Sequence, residues 1–467
     1  MMKTWRALLV GGVVMGLSVG CGDPDNPGGE PNQESNQTDP NQDPNQTDPN
    51  QTDPNQGPAS VTYYQHAQPI IEARCGGCHG VDDIGGLELI TYEGVYSNRL
   101  LSEATIREGT MPPWLAGDEC TEYRHSFALK PEERELLLEF FEEGAAEGDP
   151  ADPAPPLEAS ATSLSRVDVE LEMPVDYEPR LQPDDYRCFP IDWTEEEPGY
   201  ITGFNVSPGN PEIVHHVIAF YAPPELAAEV EAREAAEEGP GYTCFGTPGI
   251  SDENFGRPGG VAWLGSWAPG GLGIDFPEGT GLPVEPGSKV IVQVHYNTYE
   301  GETHTDRSAV QFRFDETVER SAMYLPWANP NWLSNPNSML IPAGDAEVRH
   351  SFGFDIASML GANVRIYSAN LHMHLLGTRG RQWIQRSTGQ ACLLDVPRWD
   401  FNWQYEFVLE EPEVLAPGDQ LWIECEWDNS AANQPIIQGE RIEPQDVRWG
   451  DGTTDEMCLG IFYVTFE

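Results

Sequence analysis

The chain has 467 residues, room for about three domains of ~150 residues each, and its 39% apolar content can fill a core. Asp plus Glu number 77 against 25 Lys plus Arg, a net charge of −52 that excludes a nucleic-acid binder and charge-driven adhesion to an anionic bilayer, since both need basic surface. Lysine is confined to Lys3, Lys130 and Lys289, and so acidic a surface suits a salt-rich medium that screens self-repulsion.

Lys3 and Arg6 precede an apolar stretch over residues 7–19, too short to span a membrane, which reads as an export signal. The stretch ends Leu17-Ser18-Val19-Gly20-Cys21, which resembles the lipobox of bacterial lipoproteins, with Ser18 where Leu is more usual. The resemblance implies a signal peptide over residues 1–21. Cys21 is then the lipidated first residue of a chain tethered in the periplasm or at the cell surface, touching membrane only through its anchor. A five-residue unit such as Asn45-Gln46-Thr47-Asp48-Pro49 recurs through residues 36–56, with no apolar side chain besides proline. Residues 22–59 are therefore expected to be a disordered tether.

Residues 60–148 carry Cys75-Gly76-Gly77-Cys78-His79, the C-x-x-C-H pattern of covalent haem. Two thiols add to the vinyl groups, and the adjacent His79 is held beneath the iron. A thioredoxin-like site would need a surrounding βαβ pattern, and a zinc half-site would need a second Cys/His pair; neither is present. Residues 61–74 read as a helix leading into the motif. Met111, in Gly109-Thr110-Met111-Pro112-Pro113-Trp114, can present a thioether from the opposite side. Residues 131–144 begin with Pro, keep helical apolar spacing and stop at Gly. Together these parts resemble a small class I cytochrome c. His66 and His125 read as ordinary helix or surface residues. A Pro-rich linker over residues 149–165 follows.

From residue 167 short alternating runs are separated by Pro, Gly, Asn and Asp, the pattern of antiparallel sandwiches. The 41 Pro and 47 Gly also argue against an all-helical chain, and no apolar run after residue 20 can span a membrane. The one clear helix here is over residues 224–237. His215-His216 sits in an apolar strand, where neighbours point to opposite faces, so both rings reach one metal only at a twist, bulge or strand end. Alone, such a pair is better explained as core. In the run from Lys289 to Asn297, Gln293 and His295 share the face opposite Val290, Val292 and Val294. His372 and His374 are two apart, so both leave one strand face and can chelate one ion without distortion. Asp455-Glu456-Met457-Cys458 opens the last strand.

Val214-His-His-Val, Val292-Gln-Val-His-Tyr-Asn, Leu371-His-Met-His-Leu-Leu-Gly and Asp455-Glu-Met-Cys occur in the order of the copper type II, ascorbate-dependent monooxygenases, and residues 166–467 resemble that catalytic core. The resemblance implies a multi-domain chain. A small all-α cytochrome c domain would precede two all-β jelly-roll-like sandwiches, over residues 166–315 and 316–467, each holding one copper. His215, His216 and His295 would bind the electron-donating copper. His372, His374 and Met457 would bind the copper that activates O2, the soft thioether favouring Cu(I). Gln293 would support the first site from outside, and the family's disulfide would fall on Cys425 and Cys458. Cys120, Cys188, Cys244 and Cys392 remain open, with Cys188–Cys244 one candidate pair. His304 and His350 read as solvated, and Trp399, Phe401, Trp403 and Trp449 as core. The peptide-amidating member holds its substrate's carboxylate with an Arg, an Asn and a Tyr; the matching positions here are Asn370, Leu459 and Ile461.

The expected function is an exported monooxygenase with two coppers and one covalent haem c, inserting one atom of O2 into a C–H bond of a small molecule. The haem would take electrons from an external donor and feed the His215/His216/His295 copper, replacing or supplementing ascorbate or another reductant. The alternative is an electron-transfer or copper-binding lipoprotein without an oxygenase step.

Overall fold

The computed structural model describes residues 60–80, 86–157, 164–181, 184–244, 246–250, 259–268, 271, 273–297, 305–437, 440–450, 452 and 454–467. The export signal, Cys21, the repeat tether and His304 lie outside these residues. Among the described residues no helix is long and apolar enough to cross a membrane.

A few helices form the N-terminal part. A π turn, Tyr63–Ala67, runs into the helix Gln68–Arg74, which ends one residue before Cys75. The amides of Cys78 and His79 both donate to the Cys75 carbonyl, at 3.1 and 3.0 Å, so the motif is a tight turn on the helix end. Two helices absent from the sequence reading follow. Tyr92–Ser97 is capped by the Thr91 hydroxyl, which accepts from the Gly94 amide at 3.2 Å; Arg99–Glu108 ends on left-handed Gly109 (φ 68°). The helix Pro131–Glu142 begins at its Pro, with the Glu133 carboxylate accepting from the Lys130 amide at 3.0 Å. Leu137 and Phe140 pack against Tyr63, Ile71, Val95 and Ile106. Arg74 and Glu133 close the bundle with a buried ion pair at 2.9 Å.

From Val169 onward the chain is mostly β. One sheet of nine strands runs, in spatial order, Val169–Glu172, Ala309–Asp315, Gly199–Ser207, Thr280–Val284, Arg320–Trp327, Leu459–Phe466, Val364–His372 and Phe407–Leu415, with Ile274–Asp275 on the third of these. A five-stranded sheet covers its first half, in the order Tyr242–Thr243, Asp184–Asp192, Lys289–Asn297, Val214–Ala222, Ala262–Trp267. A four-stranded sheet covers the second half, in the order Val348–Phe354, Gln420–Trp427, Gly377–Arg386, Gly389–Val396. Val217 and Val292 meet Phe204 and Val310 in one core; Ile384 and Ile423 meet Ile366 and Phe462 in the other. Alternate strand residues face these layers, as the polar–apolar alternation requires. The two cores share one sheet, joined where Thr280 and Gly281 pair in parallel with Arg320 and Ser321.

The acidic insert forms the 3-10 turn Pro224–Leu226 and the helix Ala227–Ala235, and two further short helices, Pro330–Ser334 and Ile356–Leu360, sit among the strands. A separate small hairpin pairs Ile436–Ile437 with Glu440–Arg441. Three disulfides join Cys188–Cys244, Cys425–Cys458 and Cys120–Cys392. Their number fits an oxidising, extracytoplasmic compartment.

The third bridge spans 272 residues and ties the N-terminal part to the second core. Around it the Arg124 amide donates to the Val408 carbonyl at 2.8 Å, the Glu410 amide to Glu122 at 2.9 Å and the Gly117 amide to Asp395 at 2.8 Å. Trp114 and Phe127 meet Phe407 and Tyr405 edge to face, with centroids 5.0 and 5.4 Å apart.

Candidate metal centres and the cavity beside them

The strand Val214–Ala222 pairs with Lys289–Asn297, and the register shifts between Val214 and His216. That irregularity is the bulge a His-His pair needs: Val214 faces Tyr296, His216 faces His295, and His215 is the extra residue. The three rings turn Nδ1 inward, with separations of 3.3 Å for His215–His216, 3.1 Å for His215–His295 and 3.2 Å for His216–His295. On the outer side of His295, Nε2 lies 2.9 Å from Asp184 Oδ1, and Tyr186 stacks on the ring at 4.0 Å. With Nε2 protonated toward Asp184, the His295 Nδ1 lone pair points at two other ring nitrogens. Such a cluster repels itself unless a cation takes the lone pairs, so the donor set fits a metal and suits copper. Burial lowers the pKa of all three rings; for His216 the nearness of His295, His215 and also His372 adds to it. Imidazoles held neutral in this way bind a cation at neutral pH without first losing a proton.

The second pair uses the other ring nitrogen. His372 and His374 bring Nε2 atoms within 3.1 Å. His372 Nδ1 donates to Gln404 Oε1 at 2.6 Å, and Gln404 Nε2 donates to the Phe401 carbonyl at 2.8 Å, which sets the amide's orientation. His374 Nδ1 donates to the Asp455 carbonyl at 3.0 Å. Both Nε2 lone pairs are therefore free to face one ion. Burial lowers both pKa values, with His372 adding to the effect on His374, which falls to about 3. Buried Glu456 holds the turn after the strand, accepting from the His374 amide at 2.9 Å, the Leu376 amide at 2.7 Å and Trp427 Nε1 at 2.9 Å. Met457 is buried beside it, two residues before Leu459, which pairs with His372. Cys458, next in sequence, is bound to Cys425.

Several supporting residues were invisible in the sequence. Asp184 lies 111 positions before His295 in sequence, on a strand with Tyr186 that is adjacent in the sheet, and Gln404 belongs to the segment before Phe407–Leu415. Gln293 Nε2 bonds to Cys244 Sγ at 3.3 Å and to the Thr247 carbonyl at 3.3 Å, so its contacts run to the disulfide behind the cluster. His350 donates to the Leu340 carbonyl at 2.9 Å between Trp332 and Trp427, more enclosed than a solvated residue. Trp399 bonds the His374 carbonyl at 3.0 Å, and Phe401 meets the His374 ring edge to face.

Beside the second pair lies a cavity of about 430 Å³ lined by Cys75, Cys78, His79 and Met111 on one side and by Trp403, Gln404 and Tyr405 on the other. Trp267 and Asn205 of the first core complete it. Cys75 and Cys78 are in no disulfide, and His79 Nδ1 donates to the Leu87 carbonyl at 3.0 Å.

The DBH-like monooxygenase protein 1 of Gallus gallus is 24% identical over 267 residues, 53% of this chain and 38% of its own length. The DBH-like monooxygenase protein 2 of Mus musculus is 26% identical over 270 residues, again 38% of its length, and protein 1 of Homo sapiens is 26% identical over 215 residues, 31% of its length. The chain thus spans under two fifths of the curated relatives it matches. Residues 335–466 match the family model described as copper type II ascorbate-dependent monooxygenase, C-terminal domain. The matched region includes the His372/His374 pair and Met457, so this part of the chain is similar to the C-terminal domain of copper type II ascorbate-dependent monooxygenases.

Proposed function

We propose that the chain is an exported copper monooxygenase that inserts one atom of O2 into a C–H bond of a small organic substrate. The observation that carries this reading is the pair of imidazole clusters, one converging through Nδ1 and one through Nε2, in a chain with the family's C-terminal domain. His215, His216 and His295 hold one copper; His372, His374 and Met457 hold the other, where O2 reacts. The coppers supply one electron each; the histidines, kept neutral by burial, hold them without proton release.

Residues 60–148 serve as a class I cytochrome c-like donor with one covalent haem. Six other cysteines form disulfides, while Cys75 and Cys78, on a helix end, are left out of them. The Leu87 carbonyl orients His79 so that Nε2 is left for an iron, and Met111 lines the same cavity. The haem takes electrons from an external donor. Ascorbate, an anion, is disfavoured as a direct reductant by a surface of net charge −52. Cys21 anchors the chain through lipid.

Metal analysis, a haem stain on a denaturing gel and an oxygen-uptake screen with apolar small molecules test this reading. Two coppers, one haem and substrate-dependent uptake are expected. Zinc in both clusters, or copper and haem with no oxygen uptake under any reductant, would overturn it, the latter in favour of a carrier.

A further inference from the structure

Gln404 and Tyr405 line the C-x-x-C-H cavity on the side of the second histidine pair. Tyr405 lines the cavity, its ring edge to face with Phe127 at 5.4 Å. Cys78 lines the same cavity. The Tyr405 carbonyl accepts from Asn370 Nδ2 at 2.9 Å, two residues before His372 on the same strand. Its neighbour Gln404 also lines the cavity, and its Oε1 accepts a hydrogen bond from His372 Nδ1 at 2.6 Å. One side chain therefore touches both the cavity and a metal-type histidine.

Among the described residues, the first cluster's ring hydrogen bonds run within the cluster and to Asp184, not to a side chain that lines the cavity. The nearest cavity-lining strand residue in register with the cluster is Trp267, which pairs with Val217, the residue after His216. A route to His216 crosses a strand pair and then follows the backbone. The N-terminal part is also fastened to the second core, by Cys120–Cys392 and the Arg124–Val408 and Gly117–Asp395 hydrogen bonds.

We propose that Gln404 and Tyr405 are the coupling residues between the C-x-x-C-H cavity and His372, so that electrons enter the copper chemistry at the second core and not at the His215/His216/His295 cluster. This rests on the reading above that the cavity holds haem and the clusters hold copper. The exchange is one electron lost by the iron and one gained by a cupric ion, with no bond made and no proton moved. Gln404 contributes twice. Its acceptor oxygen fixes the His372 ring, and its backbone continues into Tyr405, which lines the cavity together with Cys78.

The test uses the full chain loaded with haem and cupric copper, without O2. The haem is photoreduced with a flavin, and the decay of its reduced band is recorded with the copper electron paramagnetic resonance signal. The decay is expected to persist in His215→Ala/His216→Ala and to vanish in His372→Ala/His374→Ala. Gln404→Leu should slow it at least tenfold and shift the hyperfine splitting of the second copper while the first copper's signal stays as in the wild type, which loss of folding would not allow. Tyr405→Leu should slow it without altering that signal, and decides the matter if Gln404→Leu loses copper. Decay that survives His372→Ala/His374→Ala but stops in His215→Ala/His216→Ala would overturn the proposal, as would wild-type rates in Tyr405→Leu. A chain whose first spectrum shows no covalent haem, or no copper, fails the earlier reading before any flash is fired.

Discussion

Asp184 and His295 form a carboxylate–imidazole pair at 2.9 Å on the side of the ring opposite His215 and His216. The carboxylate comes from the neighbouring strand, where Tyr186, two residues on, stacks on the same ring. It sets which nitrogen of His295 carries the proton and so which one can bind metal.

Asp184→Ala should therefore weaken copper at the first cluster by about 10–100-fold, the usual effect of losing an outer partner of a metal-bound histidine. Competition with a graded chelator measures this. The His372/His374 copper should keep its affinity; equal weakening at both would show that the carboxylate acts on the fold instead.

His372→Ala/His374→Ala should remove one copper and all oxygen chemistry, leaving the first copper in place. The two clusters sit on different cores and share no ligand, so their losses should be separable. Copper counting on the two double variants checks it, and joint loss of both ions would contradict the assignment.

Glycine-extended peptides should not be amidated. Asn370 already spends its amide on the Tyr405 carbonyl, and Leu459 and Ile461, paired with His372 and Asn370, offer no donor to a carboxylate. Product analysis with a peptidylglycine set against apolar small molecules decides between the two substrate classes.

The Arg74–Glu133 pair should make the N-terminal helices acid-sensitive. Burial opposes ionisation of Glu133, but the Arg74 guanidinium and the Lys130 amide outweigh it and hold the carboxyl below its ordinary value. With the folded pKa below the unfolded one, about 4.3, the contribution is complete above that value and is lost as pH falls through the folded pKa. Amide exchange of Gln68–Arg74 and Pro131–Glu142 should speed up in Glu133→Gln at pH 7, and the difference should close near the acid end. Arg74→Ala, which leaves the Glu133 carboxylate with the Lys130 amide alone, should cost about 2 kcal/mol.

What could be read from the sequence was what lies in local spacing. The two-residue interval of His372 and His374 marks a chelating pair, although the strand ends at His372 and His374 lies just beyond it, and the adjacency of His215 and His216 calls for a twist, a bulge or a strand end, of which the structure has the bulge after Val214. The helix starting at Pro131 and the β character after residue 167 follow from capping residues and alternation. Arg99–Glu108 escaped because its apolar Leu100 and Leu101 face solvent, so no buried stripe shows. Asp184, Gln404 and the Cys120 partner escaped because they arrive from distant strands and segments, where register, which one chain's pattern does not display, decides who meets whom.

The pairing of Thr280 and Gly281 with Arg320 and Ser321 makes the nine-stranded sheet a mechanical beam running through both cores. A hinge between two separate sandwiches bends at little cost. A shared sheet resists bending across its strands and yields first at its weakest seam, here a contact of only two parallel residue pairs beside longer antiparallel ladders. Any opening or closing of one histidine cluster against the other must shear or twist at that seam. Its stiffness, more than the chemistry of either cluster, then sets how far apart the two can travel.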